Sequence, residues 1–236
     1  MFLRSLLTLM AWLALAGTLA AAPAPPPVSG AGPSAPPATL PDTEPAAAPR
    51  VLMVTSLGEL LLELDPVAAP RTVANFLAYA TEGHYNGTVF HRVVPGLLAQ
   101  GGGFTPDLQQ KPVRDPVPHE GGNGLPHRRG SIAAARDRGV LDSATTQFFI
   151  NLADNPQFEG RPGGDPYTAG YAVFGRVVQG MEVLDRIAAV PTGAQGPFPA
   201  WVPQTPVVIE RVQVIGAAPA ASPAADAQAG DAGRRP

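Results

Sequence analysis

Alternating and helical patterns of apolar residues both occur between residues 50 and 216, and together they predict a mostly β domain. In RVLMVTSLGELLLELD (50–65), a break at Gly58 separates two apolar runs, and the second run alternates three leucines with mostly acidic neighbours. This alternation predicts two half-buried strands joined by a tight turn. Further short β-type runs follow in GTVFHRVV, GSIAAAR, TQFFINL, YAVFGRVV and TPVVIERVQVI, with loops rich in Gly, Pro, Asn and Asp between them.

Two segments have helical rather than alternating periodicity. The first, APRTVANFLAYATEGHY, has a proline at a favoured first helical position and Gly83 at its end. Its apolar residues recur at i, i+3, i+4 and i+7, namely Val73, Phe76, Leu77 and Ala80. The second, MEVLDRIAAV (181–190), predicts a shorter helix. Most of the predicted elements are strands, and strands and helices do not alternate regularly along the chain. This organisation favours a closed or sandwiched antiparallel sheet.

The two ends of the chain differ in composition from this central domain, which we assign to residues 50–216. Residues 1–22 carry one early positive charge, an apolar run and then small residues, the layout of a cleaved signal peptide. The alternative is an uncleaved membrane anchor, because the apolar run is nearly as long as the about 20 residues that span a bilayer. Residues 23–49 contain ten prolines and predict a disordered linker, and residues 217–236 predict a disordered Ala/Pro-rich tail. The sequence therefore predicts an exported protein, either periplasmic or secreted.

Charge and composition exclude nucleic acid as a partner and several kinds of catalytic or metal site. The net charge is -3, and no basic run is long enough to follow a nucleic acid backbone. The absence of cysteine excludes disulfides, thiolate nucleophiles and cysteine metal sites. The four histidines lack the spacing of a zinc site, and no serine lies in a Gly-x-Ser-x-Gly turn. We therefore expect no metal and no cofactor. We also expect a monomer, which contacts a membrane only if residues 1–22 are retained.

Several ordered motifs remain after these exclusions. Arg92 lies in FHRVVPG, Gln100 precedes three glycines, Gln147 precedes a phenylalanine pair in SATTQFFIN, and YAVFGRV follows. From about Val51 to Ile215 the chain resembles the cyclophilin family of peptidyl-prolyl cis/trans isomerases, especially its bacterial periplasmic members. The resemblance implies a closed eight-stranded antiparallel β-barrel with a helix at each end. It also implies that proline-containing unfolded or flexible polypeptides bind in a groove on the outer face.

The resemblance further implies roles for individual residues. Arg92 matches the catalytic arginine, and the groove residues are Leu97, Leu98, Gln100, Ala133, Ala134, Gln147, Phe149, Phe158 and Tyr171. Ala134 takes the position whose main-chain groups hold the residue before proline. Neighbouring residues of a strand point to opposite faces, so only one member of the phenylalanine pair can face the groove. The family pattern gives the groove to Phe149 and the core to Phe148.

Some positions depart from the family pattern. Leu97 and Leu98 replace a phenylalanine and a methionine that many members have, and Gln157 replaces a tryptophan that supports cyclosporin binding, which predicts weak sensitivity to that drug. His91, beside the arginine, is interpreted as a satisfied structural histidine rather than an acid or base. Two other functions stay open, namely a non-catalytic proline-binding chaperone module and a scaffold tethered to the membrane by the linker.

Overall fold

The protein's structure is a computed structural model that describes residues 48–161 and 164–216. The predicted signal peptide, residues 23–47 of the predicted linker and the predicted tail lie outside these residues. Within the described ranges, no helix is both long enough and apolar enough to cross a bilayer.

The described residues form eleven strands, two α-helices and one 3-10 turn, mostly where the sequence patterns predict them. The strands are β1 Arg50–Thr55, β2 Gly58–Leu64, β3 Thr88–Val89, β4 Arg92–Val94, β5 Leu98–Gly101, β6 Ser131–Ala134, β7 Phe148–Asn151, β8 Val173–Gln179, β9 Thr192–Gln195, β10 Phe198–Pro203 and β11 Val208–Val214. The helices are α1 Pro70–Thr81 and α2 Met181–Ala188, and the 3-10 turn is Pro156–Phe158. The predicted mainly β fold with two helices is confirmed.

Nine strands form one antiparallel sheet in the order β3-β11-β1-β2-β8-β6-β7-β5-β4. The two strands at the ends of this order, β3 and β4, are consecutive in the chain, with only Phe90 and His91 between them. The first half of this run pairs with β11 and the second half with β5. Counted as one strand, the run from Thr88 to Val94 closes a ring of eight antiparallel pairings, which accounts for the difference between nine strands and the predicted eight.

The interior of the ring is filled by the apolar faces that the sequence patterns predict. In β2, the three leucines Leu60, Leu62 and Leu64 are buried, as the alternation predicts. The predicted apolar face of α1 is buried as well, and Phe76 packs against Tyr85, Phe148 and Phe174 with ring centroids 5.0, 5.8 and 5.3 Å away. Gly83 has φ +72 just after the end of α1, a conformation that glycine adopts at low cost.

A carboxylate distant in sequence caps the start of α1. Ala69, at the N-cap, has no capping side chain, and Glu120 supplies the acceptors instead. Its Oε1 accepts from the Arg71 N–H at 3.0 Å, and its Oε2 accepts from the Thr72 N–H at 2.8 Å and the Thr72 hydroxyl at 2.7 Å. One carboxylate therefore satisfies two otherwise free N–H groups at the positive end of the helix.

We expect Glu120→Ala to destabilise the protein by about 1–2 kcal/mol, the usual cost of losing an N-cap acceptor. The measurement is the free energy of unfolding from urea titration. Glu210→Ala removes an exposed carboxylate from β11 and is the matched control. Equal losses in both variants would show that the contacts of Glu120 contribute nothing specific.

The hairpin of β9 and β10 is an element that the sequence patterns do not predict. Its segment contains Pro197, Pro199 and Pro203, which lack the N–H that a central strand needs. The two strands pair only with each other and form a separate two-stranded sheet. Such a hairpin tolerates prolines because one side of each strand forms no hydrogen bonds with a neighbouring strand.

Candidate functional site

One row of residues crosses the outer face of the sheet and organises the site. Directly paired positions run from Arg92 on β4 to Gln100 on β5, Phe149 on β7, Ala133 on β6 and Val173 on β8. Residues directly opposite each other in antiparallel strands point to the same face. A charged donor at one end of this row is therefore followed by a polar amide and then by an apolar floor.

The hairpin that carries Arg92 is set by a short turn. Leu97 donates its N–H to the carbonyl of Val94 at 3.0 Å across Pro95 and Gly96, and Gly96 has φ +71. Proline followed by a glycine with positive φ is the pattern of a type II turn. The turn fixes the register of β4 and β5, which places Arg92 opposite Gln100.

The guanidinium of Arg92 is half-buried and held by a chain of amides. Its Nη1 donates to Oε1 of Gln100 at 3.3 Å, and Nε2 of Gln100 donates to Oε1 of Gln147 at 2.9 Å. Within residues 48–161 and 164–216, Arg92 takes part in no ion pair. Its remaining N–H groups are thus not committed to a carboxylate in the described structure.

The triple glycine allows this chain of amides to form. A Cβ on Gly103 would lie 2.6 Å from Cγ of Gln147, and a Cβ on Gly102 would lie 2.8 Å from the ring of Phe148. Both distances are too short for non-bonded carbon atoms. The glycines are therefore needed for a close approach of side chains.

Three aromatic rings surround the apolar part of the row. Phe149 meets Phe158 at 5.6 Å and Tyr171 at 5.2 Å between ring centroids, and these two rings are 5.5 Å apart. All three contacts are edge-to-face, with interplanar angles of 73, 89 and 77°. Leu98 is buried beside Phe149, and Leu97 packs at the margin of the same cluster. The result is a small apolar pocket beside Arg92.

The two neighbouring phenylalanines lie on opposite faces of β7. Phe148 belongs to the interior cluster, where its ring meets Phe76, Tyr85 and Phe90 at 5.8, 5.7 and 6.0 Å. Phe149 belongs to the outer cluster with Leu98, Ala133 and Val173. The strand alternation thus produces the separation between core and groove that the sequence analysis assigns to this pair.

Ala134 differs from Ala133 in what it can offer a ligand. The side chain of Ala133 is in the outer cluster, whereas that of Ala134 is in the interior cluster. The N–H of Ala134 donates to the carbonyl of Ala172 at 2.9 Å. Because the N–H of Ala134 already donates to Ala172, only its carbonyl is left for the expected main-chain contact with the residue before proline.

A buried polar network beneath the pocket is formed by residues that the sequence analysis does not assign to the site. Asn151 donates from Nδ2 to the Ser131 hydroxyl at 2.8 Å and contacts Nδ1 of His127 at 3.2 Å, and Asn155 donates to Asn151 Oδ1 at 2.8 Å. Nε2 of His127 lies 3.2 Å from the carbonyl of Tyr171. Burial is the main reason that the pKa of His127 is lowered, so its ring is neutral, with the proton on Nε2 facing that carbonyl.

Arg136 is a second cation that the sequence analysis does not include in the site. Its Nε donates to the carbonyl of Gly170 at 2.8 Å and its Nη2 to the carbonyl of Pro166 at 2.7 Å. The guanidinium carbon lies 5.4 Å from the ring centroid of Tyr171. Arg136 therefore holds the loop that positions one wall of the pocket.

Gln157, which the sequence analysis places at a family tryptophan position, is exposed and donates to Asn155 Oδ1 at 2.9 Å.

His91, next to Arg92, points away from the row. Its ring lies 4.6 Å from Phe104 and 5.5 Å from Phe198, under the β9–β10 hairpin. Among the described residues its Nδ1 has no hydrogen-bond partner, so His91 is structural but not satisfied, contrary to the interpretation from sequence. Burial, followed by the charge of Arg92, lowers the pKa of His91 from 6.5 to about 4.

We expect this histidine to make the protein less stable in acid. Since the pKa of the folded state is depressed, the unfolded chain takes up the proton first, and stability present above about pH 6.5 is lost as the pH falls towards 4. The loss attributable to His91 is on the order of 3 kcal/mol by pH 4. Urea unfolding measured across this range should show a flatter pH dependence for His91→Gln than for the unsubstituted protein. Identical pH slopes would contradict the assignment.

No group of three or more His, Cys, Asp or Glu side chains that could hold a metal is present within residues 48–161 and 164–216. The site as described offers one fixed cationic donor, two amides and an apolar pocket. Such a site can bind and orient a neutral ligand with an apolar ring and a polar atom beside it.

Comparison with known proteins identifies the family. The family model described as "Cyclophilin type peptidyl-prolyl cis-trans isomerase/CLD" matches residues 50–214. The chain is 48% identical over 166 residues to peptidyl-prolyl cis-trans isomerase A of Dickeya dadantii, covering 70% of this chain and 84% of that protein. It is 45% identical over 160 residues to peptidyl-prolyl cis-trans isomerase B of Escherichia coli, covering 68% and 96%.

A solved structure agrees with these relatives. A cyclophilin-type isomerase of Cryptosporidium parvum, crystallised in the presence of the dipeptide Ala-Pro, matches with a TM-score of 0.60 and 25% identity, covering 71% of this chain and 99% of that one. The family model, the bacterial relatives and the fold all identify the same family. This chain belongs to the cyclophilin family and is a peptidyl-prolyl cis-trans isomerase.

Proposed function

We propose that the protein accelerates rotation about X-Pro bonds in exported polypeptides and that Arg92 stabilises the twisted amide. The observation that supports this role is the position of the Arg92 guanidinium. It is held by Gln100 at 3.3 Å and lies on the same row as the pocket around Phe149. The cyclophilin-type isomerase of Cryptosporidium parvum was crystallised in the presence of the dipeptide Ala-Pro, which contains an X-Pro amide.

The chemistry of the amide explains why an arginine suffices. Resonance gives the C–N bond double-bond character and a rotational barrier of about 18–20 kcal/mol. Twisting the bond ends this resonance and returns a lone pair to the prolyl nitrogen. A fixed N–H donor binds that lone pair only when the amide is twisted, so it lowers the barrier without stabilising either planar form. No bond is broken, and no nucleophile or general acid takes part.

The apolar pocket has the complementary task of holding one half of the rotating bond. A proline ring inserted among Phe149, Phe158 and Tyr171 is fixed by burial of its apolar surface. The peptide on the acyl side of the bond can then turn while Gln100 and Gln147 orient the polar edge. Ala133 and Leu98 form the floor and keep water from the ring.

The proposal is tested on a client protein whose refolding is limited by a proline bond. Catalytic amounts of the isomerase should increase the rate of the slow refolding phase, and Arg92→Ala should abolish most of that increase. If the unsubstituted protein and Arg92→Ala improve refolding equally, and only at stoichiometric amounts, the non-catalytic chaperone function is favoured instead.

Export is the second part of this proposal, and it is supported by the composition of residues 1–22. N-terminal sequencing of the protein recovered from an envelope fraction is expected to begin near Pro23. Recovery of a chain that still begins at Met1 and sediments with membranes would support a tethered scaffold.

A further inference from the structure

The buried polar network beneath the pocket touches all three of the aromatic rings that surround it. The members of the network are buried; they are His127, Ser131, Asn151 and Asn155. The ring of His127 stacks on the ring of Phe149, with centroids 5.9 Å apart and an interplanar angle of 10°. It also meets Phe158 and Tyr171 edge-to-face, at 5.8 and 6.5 Å. The three rings of the pocket therefore pack on one histidine.

Hydrogen bonds from the network also hold the backbone of the pocket walls. Nε2 of His127 lies 3.2 Å from the carbonyl of Tyr171. Nδ2 of Asn155 donates to the carbonyl of Leu97 at 2.8 Å, and the carbonyl of Asn155 accepts from the N–H of Phe158 at 2.9 Å. Tyr171 in turn donates its N–H to the carbonyl of Phe158 at 3.1 Å. The network thus fixes two of the rings and the margin of the pocket.

Only one assignment of donors and acceptors fits this network. Oδ1 of Asn151 accepts from Nδ2 of Asn155 at 2.8 Å, and Nδ2 of Asn151 donates to the Ser131 hydroxyl at 2.8 Å. The same Nδ2 lies 3.2 Å from Nδ1 of His127, so Nδ1 has to accept and the ring proton is on Nε2. Turning the Asn151 amide over would set its NH2 group against that of Asn155. Asn151 therefore cannot adapt to a proton on Nδ1.

We propose that His127 is a positioning residue for isomerisation: the neutral ring holds the walls of the proline pocket, and a proton on Nδ1 displaces them and weakens substrate binding. The inference rests on the proposed function, because it assumes that the proline ring occupies this pocket. A second ring proton would point at the amide hydrogens of Asn151, and two buried donors that face each other are unfavourable. The charged ring would also be buried among apolar side chains. It relieves these costs only by moving, and Phe149 and Tyr171 pack on it.

The surroundings of His127 determine when this proton is taken up. Burial is the main cause that lowers the pKa of His127 from 6.5, and the Tyr171 carbonyl and the charge of Glu159 raise this pKa to a smaller extent. The charged side chains of the neighbouring elements are Arg128 and Asp154, which pair with each other at 2.8 Å, Glu159, and Arg136 at the Tyr171 ring. His127 is therefore neutral at neutral pH and becomes charged in acid. KM should rise as the pH falls through the pKa of His127, and kcat should change little, because Arg92 stays charged.

The experiment measures KM and kcat by NMR exchange on a blocked Ala-Pro peptide without ionisable groups, so that neither a protease nor the substrate responds to pH. The full-length unsubstituted protein is compared with His127→Gln and His127→Phe. Glutamine can still donate an N–H to the Tyr171 carbonyl but takes up no proton, whereas phenylalanine keeps a ring and loses both hydrogen bonds. His84→Gln is the matched control, because burial also lowers the pKa of His84, which packs on Tyr79 at 4.7 Å.

For the unsubstituted protein we expect KM to rise in acid, with its midpoint at the pH where the NMR signals of the His127 ring shift. His84→Gln should keep this rise. His127→Gln should have a KM within about twofold of the unsubstituted protein at neutral pH and no rise in acid, because its side chain does not titrate. His127→Phe should raise KM about tenfold at every pH with kcat nearly unchanged, because two buried polar groups lose their partner.

A KM that stays constant while His127 titrates would overturn the proposal, and so would an equal acid rise in His127→Gln. If His127→Phe lowers the free energy of unfolding but leaves the KM of the folded fraction unchanged, His127 is merely structural and the proposal is wrong. Should His127→Phe fail to fold, the pH profiles of the unsubstituted protein and His127→Gln still decide between these outcomes. Failure of the unsubstituted protein to accelerate exchange at neutral pH would instead contradict the proposed function itself.

Discussion

Arg92→Ala is expected to lower kcat/KM for an Ala-Pro peptide by about 100-fold, the effect of removing one preorganised donor from a transition state. The donor acts only on the twisted amide, so the loss should fall on kcat, with the affinity for the peptide changed by no more than a few fold. The measurements are exchange or protease-coupled isomerisation kinetics and, separately, peptide binding.

Two variants control this experiment. Arg92→Lys keeps the charge but replaces the planar fork by a point donor, and we expect it to recover little activity, because lysine cannot reproduce the geometry held by Gln100. Arg211→Ala removes an exposed arginine from β11 and should leave the kinetics unchanged. If Arg92→Ala weakens binding and turnover equally, Arg92 is a binding residue and the twisted-amide role is wrong.

Adjacent substitutions in β7 are expected to differ in their effect on KM. Phe148→Ala opens a cavity among Phe76, Tyr85 and Phe90 and should reduce the free energy of unfolding by about 3–5 kcal/mol. Phe149→Leu keeps an apolar side chain on the outer face but removes the ring that meets Phe158 and Tyr171. We expect it to raise KM strongly, and because Phe149 is buried it should also lose some stability.

The two quantities are measured on the same preparations, as urea unfolding and as isomerisation kinetics at temperatures where each variant is folded. Phe148→Leu serves as the size-matched partner of Phe149→Leu. It should lose stability while the folded fraction retains its KM. A KM raised equally in both leucine variants would mean that the two faces of β7 are not functionally distinct.

Local patterns in the sequence predict much of this fold, because the periodicities that they contain are enforced by burial. The leucines of β2 and the apolar stripe of α1 are buried where alternation and helical spacing place them. The opposite orientations of Phe148 and Phe149 follow from the pleat alone. In these segments the local sequence determines which face each side chain takes, and contacts distant in sequence only stabilise that arrangement.

Features that depend on contacts distant in sequence are not predictable in this way. Glu120 caps α1 from 48 residues away, and nothing in the sequence HEGGN signals a helix cap. Arg136 reaches the Tyr171 loop only through the folded barrel. Asn151 was within reach of a prediction, since it is two residues from Phe149 and therefore on the same face of β7.

The closing strand of the barrel has a consequence for synthesis of the protein. The run from Thr88 to Val94 carries Arg92, and its first half pairs with β11 near the end of the domain. Val89 is paired with Val208, so a nascent chain that has not yet released its last strand from the ribosome cannot complete the wall that holds the arginine. Contacts of such long sequence separation form late and slow folding. An isomerase with this topology completes its site only when almost the whole domain has been made, so a molecule that is still folding cannot act on its own prolines.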